Sequence, residues 1–485
     1  MLFNSMEFVL FFMVVFFVYH FALREKTKPQ NVLLLVASYF FYGYADLRML
    51  PLLVGVTVVF YLLGLAIGNA KTERMNTFWS VVGIALGVGV LVYFKYLNFF
   101  ITSFAALFRS MGLNTNTQTF NIVMPLGVSF FTFRLISYVV EVRRGTMEPT
   151  RDIVSFATYI SFFPCILSGP IDRPDFMDQL QRRRTFDYDM AVDGLRQILW
   201  GMFKKMVIAD NCAKYVDEVW KGYSDMSGST LMLAAVLYSF QLYADFSGYS
   251  DMAIGVGKLL GFRITQNFRY PYFATNVAEF WRRWHISLTS WVTDYVFMPL
   301  NMMFRDMKKF GVILAILINM LIVGMWHEAN MTCVVYGLYH GLLFIPLILS
   351  GSFNRRTKLQ TNRFGLPKLG DFGKMLLTFV LVTFSFIIFR APSISRAWDY
   401  VGTMFSKGVF STPQHFEAFH GGYYIILFLT IVFLLVVEWI QKEKEHPLDL
   451  SNIKSHGLKF GIYFALIVMI FWLGGQAETF IYFQF

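Results

Sequence analysis

Three of the eight histidines, His285, His327 and His340, fall in the stretch from Asn276 to His340, where apolar and aromatic residues dominate. The others, His20, His415, His420, His446 and His456, sit near segment ends or among polar residues. An ionisable side chain in an apolar segment costs about 2.5 kcal/mol or more on insertion scales, so its presence there asks for a function. His327, in GMWHEAN, is the first candidate. A neutral imidazole can take a proton from a hydroxyl while that oxygen attacks an activated acyl group, and histidine titrates closest to working pH. The blander reading is a polar residue hydrogen-bonding a broken helix end. His285, among Trp281, Arg282, Arg283 and Trp284, reads more readily as an interfacial anchor.

Other chemistries fit poorly. His327 and Glu328 open like a zinc-protease motif, but position 331 is Met where the second ligand belongs. No carboxylate or cysteine stands at ligand spacing beside His285 or His340, so no metal is expected. Ser129 and Ser250 each lack a glycine that a hydrolase nucleophile elbow requires. Cys333 lacks an adjacent base and reads as a buried, inert thiol. Cys165, Cys212 and Cys333 all lie in or beside apolar segments, and an odd number argues against a disulfide framework.

The elements that must position these histidines are membrane helices. The chain is 56% hydrophobic and 15% charged over 485 residues, with mean hydropathy +0.52, whereas soluble domains carry about 25% charged residues. The formal charge of +11 lies in short loops, where positive-inside bias and contact with lipid headgroups account for it. No interleaved basic and aromatic pattern suggests a nucleic-acid partner. Apolar runs recur from Met6 to Ile470, which predicts one polytopic all-α bundle spanning 1–485. The first run, Met6 to Leu23, is followed by Arg24, Lys26 and Lys28 and reads as an uncleaved helix.

Windows of spanning length give about 10–12 membrane segments, with re-entrant or interfacial helices besides. Arg134 falls inside the run Pro125 to Val142, where it must pair within the bundle or snorkel. SGPIDRPDF breaks the run that ends at Leu167, and the tract holding Arg182, Arg183 and Arg184 is either a solvated loop or a site for phosphates. Val192 to Ala209, interrupted by Arg196, Lys204 and Lys205, predicts an amphipathic surface helix. Asp245, Ser247, Gly248, Ser250 and Asp251 predict a flexible interruption after Tyr243. Val312 to Leu349 would be about 57 Å long as one helix, well beyond a core of about 30 Å. It must break, and Glu328 and Asn330 mark the place. On an unbroken helix His327 and His340 would lie about 140° apart and could not share a site.

At these residues the chain resembles the membrane-bound O-acyltransferase family, in its bacterial alginate O-acetylation branch. The matching pieces are PLGVSFFTF at 125–133, SGPIDR at 168–173, YADFSGYSDMAIG at 243–255, EFWRRWHISLTSW at 279–291, MWHEAN at 325–330 and the terminal FIYFQF. The resemblance implies a helix bundle around a central funnel, with His327 catalytic and His285 important beside it. It departs at Glu328, where the family often has glycine. It further implies an enzyme of the bacterial inner membrane with no bound cofactor. Acetyl-CoA or another cytoplasmic acyl thioester would be its donor, an exported polysaccharide the destination, and a periplasmic or secreted acetyltransferase its partner. SGPIDR also resembles the branch that moves D-alanine to teichoic acid. Two further readings stay open here: a transporter or flippase lined by the polar breaks, and a scaffold for an envelope complex.

Overall fold

The computed structural model describes residues 1–113, 118–355, 359–363, 365–406, 408–414, 423–475 and 480–481. His415, His420 and the last four residues of the terminal motif lie outside them. The described chain is helical, with one isolated bridge between Thr361 and Pro367 as its strand-like pairing, as the apolar runs predict. In order the helices are α1 (Met6–Phe17), α2 (Thr27–Asp46), α3 (Leu50–Gly68), α4 (Glu73–Leu91), α5 (Leu97–Ser110), α6 (Val128–Arg144), α7 (Ile153–Ser161), α8 (Phe176–Gln181), α9 (Tyr188–Met202) and α10 (Asp210–Gly222). There follow α11 (Gly228–Leu259), the short α12 (Val277–Trp281), α13 (Ile286–Val292) and α14 (Met298–Met303), and α15 (Lys308–His327), α16 (Met331–Leu349), α17 (Leu369–Arg390), α18 (Ile394–Ser406), α19 (Tyr423–Ile440) and α20 (His456–Leu473).

Among the described residues, seven helical stretches are long and apolar enough to cross a membrane, by length and composition. Two of them, Thr27–Gly68 and Glu73–Ser110, run 42 and 38 residues, more than the roughly 20 that one crossing needs. The first bends at Asp46, whose extended backbone leaves the helix while its carboxylate accepts the Arg48 N–H at 3.1 Å.

The chain divides into two compact units: 1–195 with 253–265, and 196–252 with 266–485. In the first, the chain from Phe162 to Asp172 leaves helical geometry yet every residue in it is buried, and partial exposure begins at Arg173. Arg134, 1% exposed, supports it by donating to the carbonyls of Tyr159, Ile160 and Pro170 at 3.1–3.3 Å. This is the pairing alternative for that arginine. Arg184 donates to the carbonyls of Gln179 and Leu180 and to the Tyr19 hydroxyl, and Arg183 pairs with Glu25. Arg184 thus supports backbone and does not stand open to a phosphate.

In the second unit two expectations fail for one reason. Lys204 and Lys205 are buried, not solvated, and α11 runs unbroken through Asp245 and Asp251. Lys204 reaches Asp251 at 2.6 Å, and Lys205 reaches Asp210 at 2.8 Å and Asp245 at 2.7 Å. Each charge supplies the other's partner, so neither the lysines nor the aspartates need water. A buried ion is tolerated only with such pairing.

The α15–α16 hairpin is held by glycines at its crossing. A Cβ on Gly324 would lie 2.2 Å from the Cys333 carbonyl oxygen, and one on Gly337 2.4 Å from that of Met320. Backbone cannot yield as a side-chain tip can. Gly337→Ala is therefore expected to lower stability by about 1–3 kcal/mol through overpacking. Gly461→Ala, which meets nothing within 4 Å, is the control that should leave the unfolding midpoint in detergent unchanged.

Candidate active site

α15 ends at His327 because Glu328 and Asn330 are extended, with φ of −150° and −142°. Asn330 then starts α16: its Oδ1 accepts the Cys333 N–H and the Thr332 hydroxyl, each at 2.8 Å. Its Nδ2 donates to Glu328 Oε2 at 2.5 Å. One amide thus caps the new helix and fixes the carboxylate beside the histidine. The break falls where the polar residues of the sequence put it.

The His327 ring, 3% exposed, stands edge-to-face with Phe389 at 5.3 Å and Tyr336 at 6.0 Å, and its centroid is 6.4 Å from that of His285. The structure thus brings the two predicted site histidines together. His285 is fully buried against Phe246 and Trp326, so the reading as an interfacial anchor does not hold.

His285 takes a left-handed conformation, φ 45° and ψ 53°, which costs an L-residue roughly 1–2 kcal/mol. Asn267 offsets this. Its carbonyl accepts the Ile286 N–H at 2.8 Å, and its side-chain Oδ1 accepts the Ser287 N–H and hydroxyl. The Ser287 N–H can only donate, which fixes the Asn267 amide orientation. His285 Nδ1, 3.1 Å from the same Oδ1, must therefore carry its proton, leaving the lone pair on Nε2.

His340 is held differently. Trp281 Nε1 donates to its Nδ1 at 3.2 Å, and its Nε2 donates to the Ser385 hydroxyl at 2.9 Å. With both nitrogens engaged it orders α12, α16 and α17, and the Tyr336 ring packs against both it and His327.

A cavity of about 390 Å³ adjoins the break, its wall including Glu328, Asn330, Phe389, Tyr238 and Arg390. Arg390 pairs with Asp217 at 2.9 Å, and the Lys205–Asp210–Asp245 cluster forms another side. Asp245 Oδ2 also accepts the Ile481 N–H at 2.8 Å, which seats Ile481 on that wall. The sequence reading missed Asn267, Tyr238, Lys205 and Arg390. Lys205 stood out as an interruption of an apolar run and not as a site residue, and the partners of Asn267 and Arg390, Ser287 and Asp217, lie 20 and 173 residues away.

Burial, and then the neighbouring His327 imidazole, hold His285 well below its ordinary value of 6.5. As pH falls below 6.5 the unfolded chain takes a proton that the folded one refuses, so stability declines until the folded value is reached. The thermal midpoint should drop between about pH 7 and pH 5, and His285→Asn should make the drop shallower. An identical slope in the variant would contradict this placement.

A family model described as the membrane-bound O-acyltransferase family matches residues 148–386, which include both site histidines. The chain is 33% identical to a Pseudomonas putida protein named Probable alginate O-acetylase AlgI, over all of both chains. It is 32% identical to the Helicobacter pylori Peptidoglycan O-acetyltransferase, covering 82% of this chain and 78% of that one. Against the Streptococcus thermophilus Teichoic acid D-alanyltransferase it is 28% identical, over 72% of this chain and 93% of the other. The transporter and scaffold readings give way before these likenesses. The buried histidine pair and the helices around it belong to a multi-pass membrane acyltransferase, a member of the membrane-bound O-acyltransferase family.

Proposed function

We propose that the protein sits in the bacterial inner membrane and takes an acetyl group from a cytoplasmic thioester, acetyl-CoA, for O-acetylation of an exported polysaccharide. A periplasmic or secreted acetyltransferase completes the delivery. The observation that carries this reading is the broken helix that sets His327 within one aromatic enclosure with His285 while the next residue, Glu328, lines a cavity. In the reaction His327 takes the proton of an alcohol as its oxygen attacks the thioester carbonyl. The new C–O bond forms, the C–S bond breaks, and the departing thiolate receives the proton from the imidazolium. An ester and a free thiol result, and the base returns to its neutral form.

His285 acts beside it, its Nδ1 proton pinned by Asn267. The relatives' names support acetyl over D-alanyl transfer, since the acetylase likeness spans the whole chain at higher identity.

General acid–base catalysis contributes about 10²–10⁴-fold. His327→Ala should therefore lower O-acetyl on secreted polysaccharide by at least about 100-fold at normal protein level. Unchanged acetylation would overturn the assignment. In membranes from the wild type, labelled acetyl-CoA should donate and a D-alanylated carrier protein should not.

A further inference from the structure

The first helix carries an exposed apolar stripe that ends abruptly in charge. Leu10, Val14, Phe17 and Phe21 follow one another at helical spacing, and all four are exposed. Arg24, Lys26 and Lys28 come next and are exposed too. Such a change from apolar to cationic side chains marks a membrane–water boundary, and positive-inside bias makes it the cytoplasmic one.

A cavity of about 410 Å³ lies at this boundary, walled entirely by the first unit. Phe186, from the segment after the arginine tract, forms one side of it, standing edge-on to Phe16 at 6.2 Å and to His20 at 5.2 Å. Phe21 and Phe186 leave 71% and 51% of their surface uncovered. The polar side holds Arg24, Glu25 and Arg184. Arg184 is committed to the Gln179 and Leu180 carbonyls and the Tyr19 hydroxyl, and Glu25 is paired with Arg183. Arg24 differs. It lies 3.7 Å from Glu25 with its side chain 77% exposed, and a surface contact of that kind holds a charge weakly. The two segments that meet here, 24–28 and 182–187, bring six cations against two carboxylates. An anion is therefore favoured at Arg24.

A small soluble anion would use the cations and leave the aromatic wall wet. A phospholipid satisfies both, and basic pockets on the cytoplasmic side of membrane helices suit anionic headgroups. We propose that this cavity is a binding site for an anionic phospholipid of the cytoplasmic leaflet, with its phosphate on Arg24 and the start of an acyl chain against Phe21 and Phe186. The rest of the chain lies among the bilayer lipids. Bound there, the lipid ties the first helix to the segment that Arg184 anchors, apart from the acyl-transfer chemistry.

The test uses the full-length protein, delipidated in a nonionic detergent, with phosphatidylglycerol or phosphatidylcholine of identical chains added back. Native mass spectrometry reads the affinity for the first lipid bound. Phosphatidylglycerol should bind at least about fivefold more tightly, as one basic side chain near a membrane surface provides. Arg24→Gln should remove that preference, Arg24→Lys should keep most of it, and Phe186→Ala should weaken both lipids. Arg305→Gln, at an equally exposed arginine of the second unit, should change neither. Millimolar acetyl-CoA or inorganic phosphate should leave phosphatidylglycerol in place.

Equal affinity for the two lipids, a preference that survives Arg24→Gln, unchanged binding in Phe186→Ala, or displacement by either soluble phosphate would overturn the proposal. His327→Ala should alter acetyl transfer and leave lipid affinity as it is, so the two assignments stand or fall separately.

Discussion

Backbone that leaves helical geometry inside an apolar interior must find its own hydrogen-bond partners, and the α15–α16 break meets that requirement with one side chain. Asn330 caps the second helix with its oxygen and holds Glu328 with its nitrogen. Without the break His327 would point from the side of a continuous rod. With it, the imidazole ends a helix and faces Phe389 and Tyr336 from two neighbouring elements. The glycine crossing at Gly324 and Gly337 sets how closely the two arms approach, and therefore where Tyr336 stands relative to that ring.

The second histidine depends on a different device. Asn267 accepts hydrogen bonds from the chain just after His285 and from its imidazole, so one residue stabilises a left-handed turn and selects a tautomer together. In the cavity wall, Lys205 with Asp210 and Asp245, and Arg390 with Asp217, let a polar surface exist beside an aromatic one. Removing one member of the Lys205 cluster would leave a buried charge uncompensated, a change that typically costs about 3–5 kcal/mol, whereas Arg390 and Asp217 are partly exposed and water would screen much of the loss. The wall's polarity is therefore part of the fold as well as of the site.

Much of this was legible in the residues. Apolar run lengths predict the helices, and the excessive length of Val312 to Leu349, with polar residues at 328 and 330, locates the break. A single arginine in an apolar run had two possible fates, and the carbonyls of the broken segment near Pro170 decide between them. What local pattern could not show is pairing at a distance. Lys204 and Lys205 look like surface charges, and Asp245 and Asp251 like a helix breaker, until the two stretches are seen to answer each other. His285 reads as an anchor because its neighbours are two arginines and two tryptophans, although Asn267, eighteen residues earlier, draws it inside.

The central claim is that the broken helix delivers one imidazole to the reacting carbonyl. A density map of the protein in nanodiscs with a non-hydrolysable acetyl thioester analogue tests it directly. The account predicts the acyl carbonyl beside His327, with room for an alcohol oxygen within about 3 Å of its ring nitrogen. An acyl group seated away from that ring, with His327 walled off from it by the α15–α16 hairpin, would contradict the account.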